Sequence, residues 1–276
     1  MDAPPRALIT GAARRVGAEI ARRLHADYDL LLHARASRDE AEAAAARFNA
    51  RRAGSARVIT GELADEPSRA TLCAAVGTAP LDLLVLNASR YGRSDLDATP
   101  VARNADLRAF LEVNVVASWD LALRLRPLLA AAARASGDAA IVLILDVYAQ
   151  RPLPGYEAYS ISRAAGAMLV QALARALGPA GIRVNGVAPG TVLWAETPER
   201  AETAVALTSG TALGRIGSPA DVAQAVRYLA DAHYVTGTVL AVDGGRGTHI
   251  SPALCLRRSA SMVLPCDFRL MTIIYQ

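Results

Sequence analysis

Short apolar runs alternate along this chain with longer amphipathic stretches, a pattern that suits a parallel sheet covered by helices on both faces. Strands are predicted at 7–9, 29–33, 56–61, 81–87, 140–146, 182–188 and 239–243. Between them, apolar residues recur at helical spacing over 16–25, 38–51, 67–76, a long region at 105–135, 158–177 and 219–230. Gly178-Pro179 stops the helix at 158–177, and Pro189-Gly190 stops the strand after it. Regular alternation of this kind predicts an α/β fold, a single doubly wound domain with a seven-stranded parallel sheet. It is expected to occupy residues 1–246 without an internal repeat or linker. Residues 247–276 break the rhythm, hold Cys255 and Cys266, and are expected to form a C-terminal appendage.

The composition supports a core of that size. With 276 residues, 53% of them hydrophobic and 20% charged, the chain is neither disordered nor fibrous. It contains no lysine, so all 30 basic residues are arginine, set against 26 acids for a net charge of +4. The charge is spread thinly, which favours anionic small ligands over nucleic acid. Three cysteines, Cys73 and the two in the appendage, make no disulfide framework and suit a reducing compartment. No secretory leader and no bilayer-length apolar run are recognisable, so a cytoplasmic protein without membrane contact is expected. No metal site is expected.

The first strand runs into Thr10-Gly11-Ala12-Ala13-Arg14-Arg15-Val16-Gly17 and then a helix. Gly11 allows a tight turn, the helix start offers free N–H groups to a pyrophosphate, and Gly17 permits close packing of helix on strand, as in Rossmann-type domains. The second strand ends in His33-Ala34-Arg35-Ala36-Ser37, without the acid that would bind a free ribose 2′-hydroxyl. Arg35 offers a guanidinium fork and Ser37 a hydroxyl to a 2′-phosphate, so NADPH is expected over NADH. The competing reading places Arg35 on a solvated face.

Tyr159 and Arg163 stand at i and i+4 on one helix face, where a cation stabilises a phenolate. Together with Thr10-Gly11, Asn87-Ala88 and Asn114, this pair resembles the short-chain dehydrogenase/reductase family over residues 6–246. Within that family the likeness is to bacterial pteridine reductases. Arg15 stands where ordinary members have glycine, Asn87-Ala88-Ser89 leads to Tyr91, Asp146 replaces the usual serine, and Arg151-Pro152-Leu153-Pro154-Gly155-Tyr156 precedes Tyr159. The segments 184–194, 213–217 and 242–246 also match the bacterial branch.

The resemblance implies an NADPH-dependent reductase acting on a pterin as a homotetramer. Asp146, Tyr159, Arg163 and Asn114 are then catalytic. Gly11, Arg15, Val16, Gly17, His33, Arg35, Ser37, Glu62, Leu63, Asn87, Ala88 and Ser89 bind the cofactor, with Tyr159, Arg163, Pro189, Gly190, Thr191 and Val192. Arg15, Ser89, Tyr91, Asp146, Tyr159 and Trp194 bind the substrate. Tyr91 is expected to stack on the flat ring, against the competing reading of a packed aromatic. A carboxyl ending an apolar strand is costly without partners, and Asp146 suits protonation of an imine nitrogen, against the competing reading of a cap.

Two residues depart from the family pattern. Arg163 replaces lysine, keeping the charge but holding its proton at any accessible pH. Glu62 replaces the aspartate usual near the adenine. These departures leave open a carbonyl reductase on a non-pterin ketone, and a nucleotide-binding protein with little catalysis.

Overall fold

In the computed structural model, which describes residues 4–192, 208 and 210–248, each apolar run forms a strand. The strands are β1 (Arg6–Ile9), β2 (Asp29–Ala34), β3 (Ala56–Thr60), β4 (Leu83–Leu86), β5 (Ala139–Ile144), β6 (Ile182–Pro189) and β7 (Val239–Val242). They make one sheet in the order β3-β2-β1-β4-β5-β6-β7, every neighbouring pair parallel. The helices are α1 (Arg15–Leu24), α2 (Arg38–Arg51), α3 (Glu66–Val76), α4 (Pro100–Leu111), α5 (Ala117–Ser136), α6 (Glu157–Leu177) and α7 (Pro219–Asp231).

Alternate residues of the central strands feed two separate cores. Ala7, Ile9, Leu83, Val85, Ala140 and Val142 face α1, α2 and α7, whereas Leu8, Leu84, Leu86, Ile141 and Leu143 face α3, α5 and α6. Burial on both faces explains why these strands read as continuous apolar runs rather than alternating ones. Burying each leucine, isoleucine or valine contributes roughly 1.5–3 kcal/mol. Strand order reverses between β1 and β4, and the crevice beyond the carboxyl ends at such a switch point is where open parallel sheets bind ligands.

Several elements differ from expectation. The long helical region at 105–135 is two helices joined by a π-helical turn, Glu112–Val116, and it begins earlier because Thr99 caps α4 by accepting the Ala102 N–H. β4 is shorter than 81–87. The Leu81 N–H bonds to the Leu128 carbonyl of α5 (3.2 Å), and Asn87 leaves the ladder to hold the loop after β1. Trp194 and residues 249–276 of the expected appendage lie outside the described residues. Among the described residues, no helix is long and apolar enough to cross a membrane.

Candidate active site

The loop after β1 is shaped by its backbone. Gly11 adopts φ +64°, and a Cβ on Gly17 would overlap the Gly11 carbonyl and come within 2.7 Å of Asn87 Nδ2. Arg15 is the one non-glycine among the described residues with a positive φ, 54°, a conformation that costs roughly 1–3 kcal/mol and is held by its surroundings. The end of β4 clamps this loop. Asn87 Nδ2 donates to the carbonyls of Thr10 and Gly11 (both 3.0 Å), and Thr10 Oγ1 accepts the N–H groups of Asn87 (2.9 Å) and Ala88 (3.0 Å).

His33 has both ring nitrogens engaged by the backbone. Nδ1 accepts the Gly11 N–H (3.2 Å) and Nε2 donates to the Gly61 carbonyl (3.1 Å), with burial pushing its pKa down and keeping the ring neutral. The structure therefore gives it a positioning role between two loops rather than a free edge for a ligand. Leu63 likewise points into the core, and its carbonyl accepts from buried Arg69 (2.6 Å). Arg69 also pairs with Glu112 and Asp120 (both 2.8 Å), tying the β3–α3 loop to the π turn.

Arg35 is 70% exposed, and its Nη1 lies 3.4 Å from Glu62 Oε2. A carboxylate thus stands beside the proposed 2′-phosphate fork, although it comes from the end of β3 and not of β2. Ser37 sits at the N-cap of α2 without a side-chain capping bond. Val16 packs against the α1-side core. At the far side of the crevice, the Gly190 N–H bonds to the Val242 carbonyl (3.0 Å), a Cβ there would lie 2.7 Å from Asp243 Cα, and Val192 bridges to Gly217. Pro189 ends β6, and Thr191 is buried beside Gly190.

Asp146, Tyr159 and Arg163 come together behind the crevice, each at most 5% exposed. The Tyr159 hydroxyl donates to Asp146 Oδ2 (2.7 Å), and the Tyr148 N–H donates to Oδ1 (3.0 Å). Asp146 is thus both a cap of the turn after β5 and a partner of the tyrosine. The Arg163 guanidinium carbon lies 4.9 Å from the Tyr159 ring centroid. Its Nη1 donates to the Ile144 carbonyl (3.2 Å) and its Nη2 to the Ser89 hydroxyl, while Nε is buried without a partner among the described residues.

Burial pushes the Asp146 carboxyl up to about 6, against the opposing pull of its hydrogen bonds and of Arg163 and Arg246. Burial also raises the Tyr159 phenol well above its usual value, and the neighbouring Asp146 adds to the rise. The expectation that Arg163 acidifies Tyr159 is corrected accordingly: the cation pulls in that direction, but desolvation outweighs it. Asn114, on the π turn, uses its side chain structurally. Oδ1 accepts the Arg90 N–H (2.8 Å), and Nδ2 donates to the Arg90 carbonyl (3.0 Å) and to Ser162 Oγ (2.9 Å). Ser162 in turn donates to the Tyr159 carbonyl (2.7 Å).

Tyr91 packs within an aromatic cluster, stacked on Tyr156 (5.0 Å between centroids) and edge-on to Tyr159 (4.8 Å). Ser162 and Arg246 belong to the site without having been expected there. Spacing from Tyr159 offers a signal for Ser162, three residues on along α6, whereas Arg246 reaches Tyr148 and Asp146 only through the fold.

Residues 11–246 match the family model described as enoyl-(acyl carrier protein) reductase. The chain belongs to the short-chain dehydrogenase/reductase family. As a member, it is an NAD(P)-dependent oxidoreductase. This family member is similar to the protein assigned as ketoacyl reductase 2 of the granaticin polyketide synthase from Streptomyces violaceoruber. The two are 33% identical over 256 residues, which span 88% of this chain and 97% of the relative. Pteridine reductase 1 of Leishmania tarentolae is 32% identical over 282 residues, 87% of this chain and 96% of the relative. Among solved structures, the Pseudomonas aeruginosa RhlG/NADP active-site complex superposes with a TM-score of 0.77 at 29% identity, covering 88% of this chain and 96% of that one.

Proposed function

We propose that this short-chain reductase is an NADPH-dependent pteridine reductase that reduces an oxidised or dihydro pterin. Ketoacyl and pteridine reductases stand at similar identity to the chain, so the substrate class rests on the site. Asp146 carries the reading. Its buried carboxyl, titrating at about 6 and 2.7 Å from the Tyr159 hydroxyl, occupies the position at which the resemblance places a serine in most of the family. A serine hydroxyl polarises a ketone oxygen but does not resupply a proton near neutral pH. A carboxyl of this pKa does both, as reduction at a ring nitrogen requires.

The residues present fit a nicotinamide dinucleotide. Gly11 and Gly17 keep side chains out of the turn before α1, whose first-turn N–H groups have no intrahelical partners, and the buried Nε–H of Arg163 needs an acceptor of the kind a ribose hydroxyl offers. When bound, NADPH supplies hydride. Tyr159 delivers the proton from its hydroxyl, and Asp146 replaces it across the existing hydrogen bond. Arg163 holds the ends of β4 and β5 together through Ser89 and Ile144, placing its charge beside the phenol. Asn114 and Ser162 fix the first turns of α6 against the Arg90 segment. Tyr91 lends an aromatic wall as part of its cluster.

A β-ketoacyl or other carbonyl substrate is the second reading, favoured by the 33% identity to the granaticin protein. NADPH oxidation measured with dihydrobiopterin, dihydrofolate and a β-ketoester separates the two. Turnover of the pterin is expected. Turnover of the ketoester alone would establish the second reading, and cofactor binding without turnover of any of them would refute both.

A further inference from the structure

Arg14, Arg15, Arg22, Arg47 and Arg51 line one open cavity of about 930 Å³ between α1, α2 and the start of α7, with Glu19 the one carboxylate among its described lining residues. Five guanidinium groups face one carboxylate among the described lining residues, with Glu40 reaching Arg14 from beside the groove, so the wall is predominantly positive. Arg14 is engaged by Glu40 and Arg22 by Glu19, and Arg15 belongs to the phosphate loop, which leaves the other two. Arg47 and Arg51 stand one turn apart on α2, and among the described residues neither has a carboxylate partner. The helix dipole favours Arg51 in the last turn of α2, but like charges at this spacing repel, so the pair gains most from an anion placed between them.

A concave site of this volume matches small-molecule pockets. Its walls of one charge sign concentrate counter-ions, and guanidinium forks match phosphate oxygens two at a time. The groove meets the phosphate loop at Arg14 and Arg15, but Arg22, Arg47 and Arg51 extend it away from that loop along both helices.

We propose that this groove binds a small anion carrying two or more phosphate groups, at a place the nicotinamide cofactor leaves free. The probe is inorganic tripolyphosphate, titrated calorimetrically into protein saturated with the oxidised cofactor. One site per chain is expected, with an affinity that falls as salt rises. The double variant Arg47→Ala/Arg51→Ala should weaken tripolyphosphate at least about tenfold, with cofactor affinity unchanged. Unaltered binding by the double variant would overturn the proposal. So would binding that the cofactor abolishes, which would put the anion in the cofactor's own cradle. Equal affinity for inorganic monophosphate would remove the requirement for two phosphate groups and overturn it as well. None of these readings depends on which substrate the enzyme reduces.

Discussion

Replacing Asp146 with asparagine perturbs the acid at the centre of the site while keeping its shape. Burial raises this carboxyl from its ordinary 3.8 to about 6, so the folded protein keeps a proton across a window in which the unfolded chain has released it. A rise of about two units, at about 1.4 kcal/mol each, corresponds to about 3 kcal/mol. The native state binds more protons within that window, so the stabilising contribution is complete below 3.8 and is lost as pH rises through about 6. Asparagine does not titrate, can still accept the Tyr148 N–H through Oδ1, and can donate to the Tyr159 oxygen. Relative to the wild type, the variant should therefore gain up to about 3 kcal/mol between about pH 4 and about pH 7. Urea unfolding of both cofactor-free proteins across that range reads the difference, because other titrating groups cancel between them. A difference that stays constant with pH would refute the elevated pKa and the proton-relay role built on it. Pterin turnover should move the opposite way, falling in the variant while cofactor affinity holds.

Tyr159→Phe removes the hydroxyl that meets Asp146 and should lower kcat by about 10²–10⁴-fold without weakening the cofactor, measured by steady-state kinetics and fluorescence titration. Arg163→Lys should raise turnover, because an ammonium can pass a proton that a guanidinium keeps, whereas Arg163→Ala should lose it; an alanine variant equal to the wild type in rate and binding would refute the pairing. Arg35→Ala should cut the preference for NADPH over NADH by about tenfold or more, and Glu62→Gln, by freeing Arg35, should increase it; paired dissociation constants for the two cofactors check both.

The sheet is legible in the sequence because strands buried on both faces must be apolar throughout, as Leu83–Leu86 and Ala139–Ile144 are. The π turn is hidden, since the apolar spacing continues through Glu112–Val116 without a proline or glycine to mark it. Tyr159 and Asp146 are recognisable as chemistry from residue type and position. Their acidities are not, because these follow from burial and from each other, which only the packed fold supplies. His33 is visible at the end of β2, yet its two backbone partners come from the β1 and β3 ends, brought together by tertiary structure. Arg35 is legible as a cation near the crevice, whereas the carboxylate facing it, 27 residues on at the end of β3, is brought beside it only by the pairing of β2 with β3.

The π turn between α4 and α5 has a mechanical consequence. A turn bonded from i to i+5 holds one residue more than an α-helical turn, and each residue of an α-helix rotates the rod by about 100°. Phe110, on one side of the turn, packs in the aromatic cluster with Tyr159, while Leu121, Leu125 and Leu129 on the other side pack onto the sheet. The extra residue acts as a phase shifter that lets one nearly continuous rod present two different faces to two different layers. Deleting any one residue from 112–116 would leave the rod almost as long but wound out of step, turning either Phe110 away from Tyr159 or the leucines away from the sheet. Substitutions at Val113, Val115 and Val116 preserve that phase, so apart from Glu112 and Asn114, which hold Arg69 and the Arg90 segment, the stretch tolerates changes of letter far better than changes of length.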